Sequence, residues 1–284
     1  MLTFFNEPGA DDVSSYGGKA ASLAKLGSVG NIPPGFSISV DAYRSWVENG
    51  GDEMPADLAE EIKQAYTTLE RNCNVIDVPV AVRSSAVDED GLGESFAGLH
   101  DTFLNVIGVE AVIEATINCW RSIGNEQALE YRKANNLDID SAAMGVVVQQ
   151  LVFADVSAVA FSANPVNGSR DEVVINANYG LGEAVVGGLA TPDTITINRN
   201  DLAQHDVQIG AKETMTVRTD NGTEEKPVPR IMRDMPVLTQ AQATEIAKLV
   251  INLEKHNEWA VDVECAIHDS QLYLLQCRPI TTLN

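Results

Sequence analysis

WAVDVECAIHDSQLYLLQCRPI, residues 259–280, alternates apolar and polar side chains into a polar HDSQ and alternates again after it. This is the pattern of two strands joined by a tight turn. Successive side chains of a strand point to opposite faces, so Asp262 and Glu264 share one face, as do Gln276 and Arg278. A turn centred on Ser270 sets Glu264 opposite Gln276 and Asp262 opposite Arg278. One face then carries two carboxylates, an amide oxygen and a guanidinium, while Val263, Leu275 and the cysteines line the other. Hard oxygen donors on rigid strands suit Mg²⁺, and an arginine beside them suits a phosphate oxygen. Taken alone, the same face reads first as a solvated one with a cross-strand ion pair. A one-residue slip of the register would also undo it.

A second stretch raises the same chemistry. VAVRSSAVDEDGLGESFAGLHDTFLNV, residues 80–106, runs from an apolar strand into Arg83 and two serines, then through an acidic, glycine-broken loop to another apolar run. Lys19 follows Gly17 and Gly18 at the start of a helical segment, where backbone N–H groups and a cation can meet a phosphate. The Walker A pattern is not met, because Ala20 stands where Ser or Thr belongs. Neither GLGE segment completes GxGxxG, and DEDG does not continue as an EF-hand loop. The four histidines, His100, His205, His256 and His268, fall in no Ser/His/Asp or metal-ligand spacing. In isolation Lys19 reads first as a surface lysine in a glycine turn, and Arg83 at its strand end is ambiguous.

Around these stretches the periodicity predicts helices over 14–28, 41–50, 56–72, 109–123, 127–135 and 239–258. Leu58, Ile62, Ala65, Tyr66 and Leu69 mark the buried face of the third, and Ala243, Ile246, Ala247, Val250 and Leu253 that of the last. Strands are expected after the Pro-Pro-Gly turn at 33–35, over 79–84, and in AAMGVVVQQLV, SAVAFSANPV and DEVVINANYG. Further β structure is expected at 194–198 and around 206–219. Helices and strands mix without strict alternation, which predicts an α+β fold. The expected division is into two lobes, 1–148 and 149–284, meeting near Gln149.

The chain has 284 residues and a formal net charge of -22. So acidic a surface repels nucleic-acid backbones and anionic membranes, so neither is an expected partner. Any phosphate site must be built locally from a few basic residues and backbone N–H groups. The four cysteines form no CxxC pair, which argues against zinc, and no apolar run has the length of a membrane span. No signal peptide is evident, so a reduced, cytoplasmic protein is expected, without a Cys265–Cys277 disulfide.

Taken in order, GGKAASL, PPGFSIS, VAVRSSAVDED…ESFAGLHDTFLNV, VVVQQLV, VAFSANPVNG, NANYGLGEAVVGGLATPD and DVECAI…LYLLQCRPI resemble one family. It is the ATP-binding domain of phosphoenolpyruvate synthase, pyruvate phosphate dikinase and rifampin phosphotransferase, the last being nearest in spacing. The resemblance implies an ATP-grasp fold whose two lobes clamp Mg-ATP. By motif position it implies Lys19, Arg83, Gly98 and Thr102 at the phosphates, with Gln149 by the adenine and Glu183 near the ribose. Glu264 and Gln276 would hold Mg²⁺, and Arg278 would contact phosphate. Lys19, Arg83 and Arg278 are then the catalytic cations, and 86–102 a lid over the triphosphate.

Three positions depart from the family's usual pattern: Leu99 replaces a Gln, Ala158 a Gly, and DVECA the usual DIEWA or DIEFA. None removes a charged contact. In such relatives a histidine on a swivelling domain, within a Ser/Thr-rich motif, carries the phosphoryl group to a small-molecule acceptor. No such motif follows Pro279 here. The expectation is a Mg-ATP-cleaving component whose carrier histidine comes from a partner or a missing domain. A stand-alone kinase or ligase transferring directly from ATP, and a non-catalytic ATP-binding regulator, are the alternatives.

Overall fold

The computed structural model describes residues 1–87, 101–134, 142–220 and 222–283. Its strands are β1 (Leu2–Phe4), β2 (Gly35–Ile38), β3 (Val80–Ala86), β4 (Thr102–Val106), β5 (Met144–Gln150), β6 (Val156–Phe161), β7 (Glu172–Tyr179), β8 (Asp193–Asn198), β9 (Gln204–Gln208), β10 (Thr214–Arg218), β11 (Thr223–Pro227), β12 (Val261–His268) and β13 (Gln271–Pro279). Its helices are α1 (Val13–Tyr16), α2 (Gly18–Leu26), α3 (Val40–Glu48), α4 (Ala56–Cys73), α5 (Val109–Arg121), α6 (Glu126–Ala134), α7 (Glu183–Val186), α8 (Arg230–Arg233) and α9 (Gln240–Asn257). The α+β class is as expected. No helix among the described residues is long and apolar enough to cross a membrane.

The chain forms two compact units, Met1–Lys25 with Pro33–Leu151, and Leu26–Ile32 with Val152–Asn284. Position 148, the expected lobe boundary, lies inside β5. The segment Leu26–Ile32 belongs to the second unit although it interrupts the first in sequence. Leu26 is buried in the second core, and Asn31 accepts a hydrogen bond from the Leu274 amide at 2.8 Å.

In the first unit the sheet order is β1-β2-β5-β3-β4, with every pairing antiparallel. Alternation divides β3 and β5 cleanly. Val80, Val82, Ala86, Met144, Val146 and Val148 are buried in a core with Leu58, Ile62, Tyr66 and Leu69 of α4 and Trp120 of α5. The spacing read on α4 is thus the face it buries. The expected helix over 14–28 is broken into α1 and α2 at Gly17, which has φ +83°. A Cβ there would lie 1.9 Å from the Ser85 carbonyl oxygen, so only glycine lets the loop approach the end of β3.

In the second unit a six-stranded sheet runs β13-β12-β6-β7-β8-β9, and β10-β11 form a separate ribbon. The excursion expected over 206–219 is therefore split between two sheets, and β11 adds a strand beyond it. One sheet face packs Ala158, Ala160, Ile175, Ile195, Val263 and Cys265 against Ala243, Ile246, Ala247, Val250 and Leu253 of α9. A capping box of Thr239 and Gln242 starts α9, and Glu258 in the left-handed region ends it. Asp193 and Lys212, both fully buried, form an ion pair beside this core.

Candidate functional site

The face of the first sheet opposite its apolar core is polar. Thr102 of β4 lies directly opposite Arg83 of β3, and Gln149 of β5 lies opposite Ala81. Directly opposed residues project to one side, so Arg83, Thr102 and Gln149 share this face. Lys19 is brought to the same strand. Its Nζ, buried, donates to the Ser84 carbonyl at 2.7 Å. The amide of Ala20 donates to Ser85 Oγ at 3.1 Å, tying the first turn of α2 to the strand end. Gln149 is buried, and its amide donates to the Pro33 carbonyl at 3.4 Å. Gly98 and most of the expected lid, 88–100, lie outside the described residues.

The second unit carries the hairpin chemistry. Its ladder pairs Asp262 with Arg278 and Glu264 with Gln276, on the sheet face away from α9. The turn, however, is not centred on Ser270. Asp269 and Ser270 form a two-residue turn, both at positive φ, and His268 lies opposite Gln271. A regular ladder from such a turn would set Glu264 opposite Leu275. An irregularity between Glu264 and Cys265 accommodates Leu275 as one extra residue and restores the pairing. In consequence Leu274, not Leu275, is the buried core residue.

Arg278 Nε donates to Asp262 Oδ2 at 2.9 Å. The other Asp262 oxygen, Oδ1, is buried with no hydrogen-bond partner among the described residues. Burial pushes the Asp262 carboxyl above its ordinary value, Arg278 pulls it back, and nearby Glu264 raises it further. An orphaned carboxylate oxygen beside the opposed carboxylate of Glu264 and carboxamide of Gln276 is a donor set that fits a hard divalent cation. Cys265 and Cys277 are free, and burial pushes the Cys265 thiol up to about 12.

Glu183 opens α7, which packs on β6, β7 and β10 rather than on the hairpin. Burial raises its carboxyl above the ordinary value, Thr223 lowers it by hydrogen bonding, and Glu225 raises it again. Two features escaped sequence reading. The orphaned Asp262 oxygen depends on burial that no pattern reveals. The Thr223 contact comes from β11, a strand without an apolar face.

Residues 50–284 match the family described as pyruvate phosphate dikinase, AMP/ATP-binding domain. The chain belongs to this family. The ATP-binding domain expected from the motifs stands with that membership. The chain is 37% identical to a probable phosphoenolpyruvate synthase of Methanocaldococcus jannaschii, over 100% of this chain and 27% of that protein. It is 33% identical to the phosphoenolpyruvate synthase of Pyrococcus furiosus, over 100% of this chain and 44% of that protein. To the rifampicin phosphotransferase of Streptomyces sviceus it is 33% identical, over 95% of this chain and 35% of that protein. The chain thus spans less than half the length of these curated relatives. Among solved structures it is similar to the D-alanine–D-alanine ligase of Bacillus anthracis, at 9% identity and a TM-score of 0.36, over 94% of this chain and 57% of that one. That likeness is loose.

Proposed function

We propose that the chain binds Mg-ATP, cleaves it, and passes a phosphoryl or pyrophosphoryl group to a histidine on a partner protein or another domain. The observation that carries the reading is the hairpin face, with Glu264 opposite Gln276 and Asp262 opposite Arg278, in a chain of an ATP-binding family. The first unit acts as the lobe bearing the phosphate-binding lid, and the second as the lobe bearing the metal-binding hairpin. Lys19, Arg83, Gly98 and Thr102 contact the phosphates, Gln149 the adenine and Glu183 the ribose. Glu264 and Gln276 hold Mg²⁺, with Arg278 on a phosphate oxygen.

Phosphoryl transfer asks a protein mainly for positioning and charge neutralisation. Bound Mg²⁺ supplies part of that neutralisation. Lys19, Arg83 and Arg278 supply the rest, as a local concentration of positive charge in a chain of net charge -22. The rigid strand beneath Arg83 fixes the direction of its planar fork, which suits two oxygens of one phosphate. The Lys19–Ser84 bond draws the ammonium to the same strand end. Pyrophosphoryl transfer leaves AMP, and water then releases phosphate to leave a phosphohistidine. A small-molecule acceptor and a cytoplasmic setting complete the reading.

The test is product analysis. The purified chain is incubated with Mg-ATP, alone and with a cell-extract fraction, and nucleotides and phosphate are separated by chromatography. AMP and phosphate appearing with the extract is the expected result. ADP formed with a small-molecule fraction would replace the reading with direct kinase action. Absence of any ATP binding would overturn it.

A further inference from the structure

Phe103 and Val106 of β4 lie three residues apart, yet both pack against the apolar core of the first unit. A regular strand sends residues so spaced to opposite faces. The ladder with β3 shows how both reach the core. Val106 lies opposite Val80 and Phe103 opposite Val82, so three steps along β4 match two along β3. One extra residue is thus held in β4, a β-bulge. A regular ladder from Val106 would set Leu104 opposite Val82 and Thr102 opposite Ser84, on the core side. With the bulge, Thr102 lies opposite Arg83, on the polar side.

The residue at the bulge is suited to it. Asn105 lies between Phe103 and Val106 and has φ +57°, the one residue of β3 or β4 in the left-handed region. Asparagine and glycine enter that region at low cost, and the β-branched residues that favour strands do not. Asn105 is only 1% exposed. A buried amide is an expensive choice inside a strand, where apolar side chains pack better, unless the backbone demands it. Beyond the bulge pairing resumes. The Ser84 amide donates to the Asp101 carbonyl at 3.4 Å, while the Ser84 carbonyl accepts from Lys19 Nζ at 2.7 Å. Lys19, Arg83 and Thr102 thus converge on one strand end, where Thr102 is exposed to a ligand.

We infer that Asn105 is a positioning residue for phosphate binding: its left-handed backbone holds the bulge that turns Thr102 out of the core and onto the face of Arg83. The inference rests on the proposed roles of Arg83 and Thr102. Directly opposed residues bring their Cβ atoms within about 4.5–5.5 Å of each other. At that spacing a guanidinium and a hydroxyl can donate to oxygens of one phosphate. A β-branched residue at position 105 favours extended backbone, which straightens β4 and returns Thr102 toward the core.

The test is calorimetric titration of the full chain with Mg-ATP and with adenosine, with thermal unfolding as the check on fold. The proteins compared are the unaltered chain, Thr102→Val, Asn105→Gly, Asn105→Val, and Thr102→Val combined with Asn105→Val. Thr102→Val and Asn105→Val are each expected to weaken Mg-ATP about tenfold, the scale of one hydrogen bond to a charged group, with adenosine binding unchanged. The double variant should bind no more weakly than either, because both changes remove the same contact. Asn105→Gly should bind Mg-ATP as the unaltered chain does, since glycine keeps the left-handed backbone without the amide. A folded Asn105→Val chain with full Mg-ATP affinity overturns the inference, and so do additive losses in the double variant. Equal weakening toward adenosine would make Asn105 merely structural and overturns it too. If Asn105→Val does not fold, Asn105→Gly decides: a loss there as large as that of Thr102→Val would assign the effect to the amide side chain and overturn the inference. Thr102→Val without effect removes the inference while the ATP reading stands. If the unaltered chain binds no Mg-ATP, both fail.

Discussion

Glu264 faces Gln276 across the last hairpin because one extra residue, Leu275, is accommodated in the ladder between Leu274 and Gln276. Before the irregularity, Leu274 and Cys265 point into the apolar core. Beyond it, Gln276 and Arg278 point the other way, to join Glu264 and Asp262. Without it, the amide and guanidinium would enter the core and the carboxylates would face Leu275 and Cys277. The irregularity thus gathers Asp262, Glu264, Gln276 and Arg278 on one face of the hairpin.

Arg83 should matter to phosphate and not to nucleoside. With Thr102 opposite and Lys19 drawn to the next residue, it sits among groups suited to anionic oxygen. Arg83→Ala is expected to weaken Mg-ATP binding by about 10- to 100-fold, the loss of one charge-assisted, forked contact, and to leave adenosine binding unchanged. Calorimetry with both ligands checks this. Equal losses would make Arg83 a structural residue.

The buried pair of Asp193 and Lys212 predicts a large stability effect. Asp193 accepts from Lys212, from the Gly210 amide at 2.8 Å, and from the Val237 amide at 2.8 Å. It therefore fastens the approach to β10 and the approach to α9 onto β8. Lys212→Met leaves an uncompensated buried carboxylate and should cost about 3–5 kcal/mol in urea unfolding. Adding Asp193→Asn should recover part of the loss, because the charge is gone and an acceptor remains. A cost below about 1 kcal/mol would contradict the burial of the pair.

Much of the scaffold was legible, for identifiable reasons. Helical spacing named the buried faces of α4 and α9 residue by residue, because each packs against a single apolar surface. The valine run of β5 is legible as a strand. Its alternation between the apolar core and the face carrying Gln149 is invisible in a row of apolar side chains. The hairpin pairing was read correctly from a turn placed half a residue off, and the extra residue at Leu275 cancelled the error. Asp193 and Lys212 look like any surface charges in sequence. β11, TEEKP, has no apolar periodicity, because four of its five residues face solvent. Nor does local pattern reveal that Leu26–Ile32 packs with the second unit, since that depends on a long-range contact with Leu274.

Asp262 predicts a pH dependence. Folding raises its pKa above the ordinary 3.8, chiefly by burial. The stability it contributes is therefore fully present below the unfolded value and is lost as pH rises through the folded one. Asp262→Asn removes that titration. Urea unfolding of both proteins from acid to neutral pH should show the unaltered chain losing stability relative to the variant as pH rises. A pH-independent difference between the two would contradict the raised pKa.

A hairpin face that holds the metal accompanying ATP ties nucleotide affinity to Mg²⁺ and to Glu264. The most direct measurement is calorimetric titration with ATP, in Mg²⁺ and in excess chelator, of the unaltered chain and of Glu264→Ala, with thermal unfolding as the check on fold. Mg²⁺ is expected to strengthen ATP binding to the unaltered chain, Glu264→Ala to lose most of that gain, about tenfold or more, and both proteins to unfold alike. Equal ATP affinity with and without Mg²⁺ in the unaltered chain, or a Mg²⁺ effect untouched by Glu264→Ala, would contradict it.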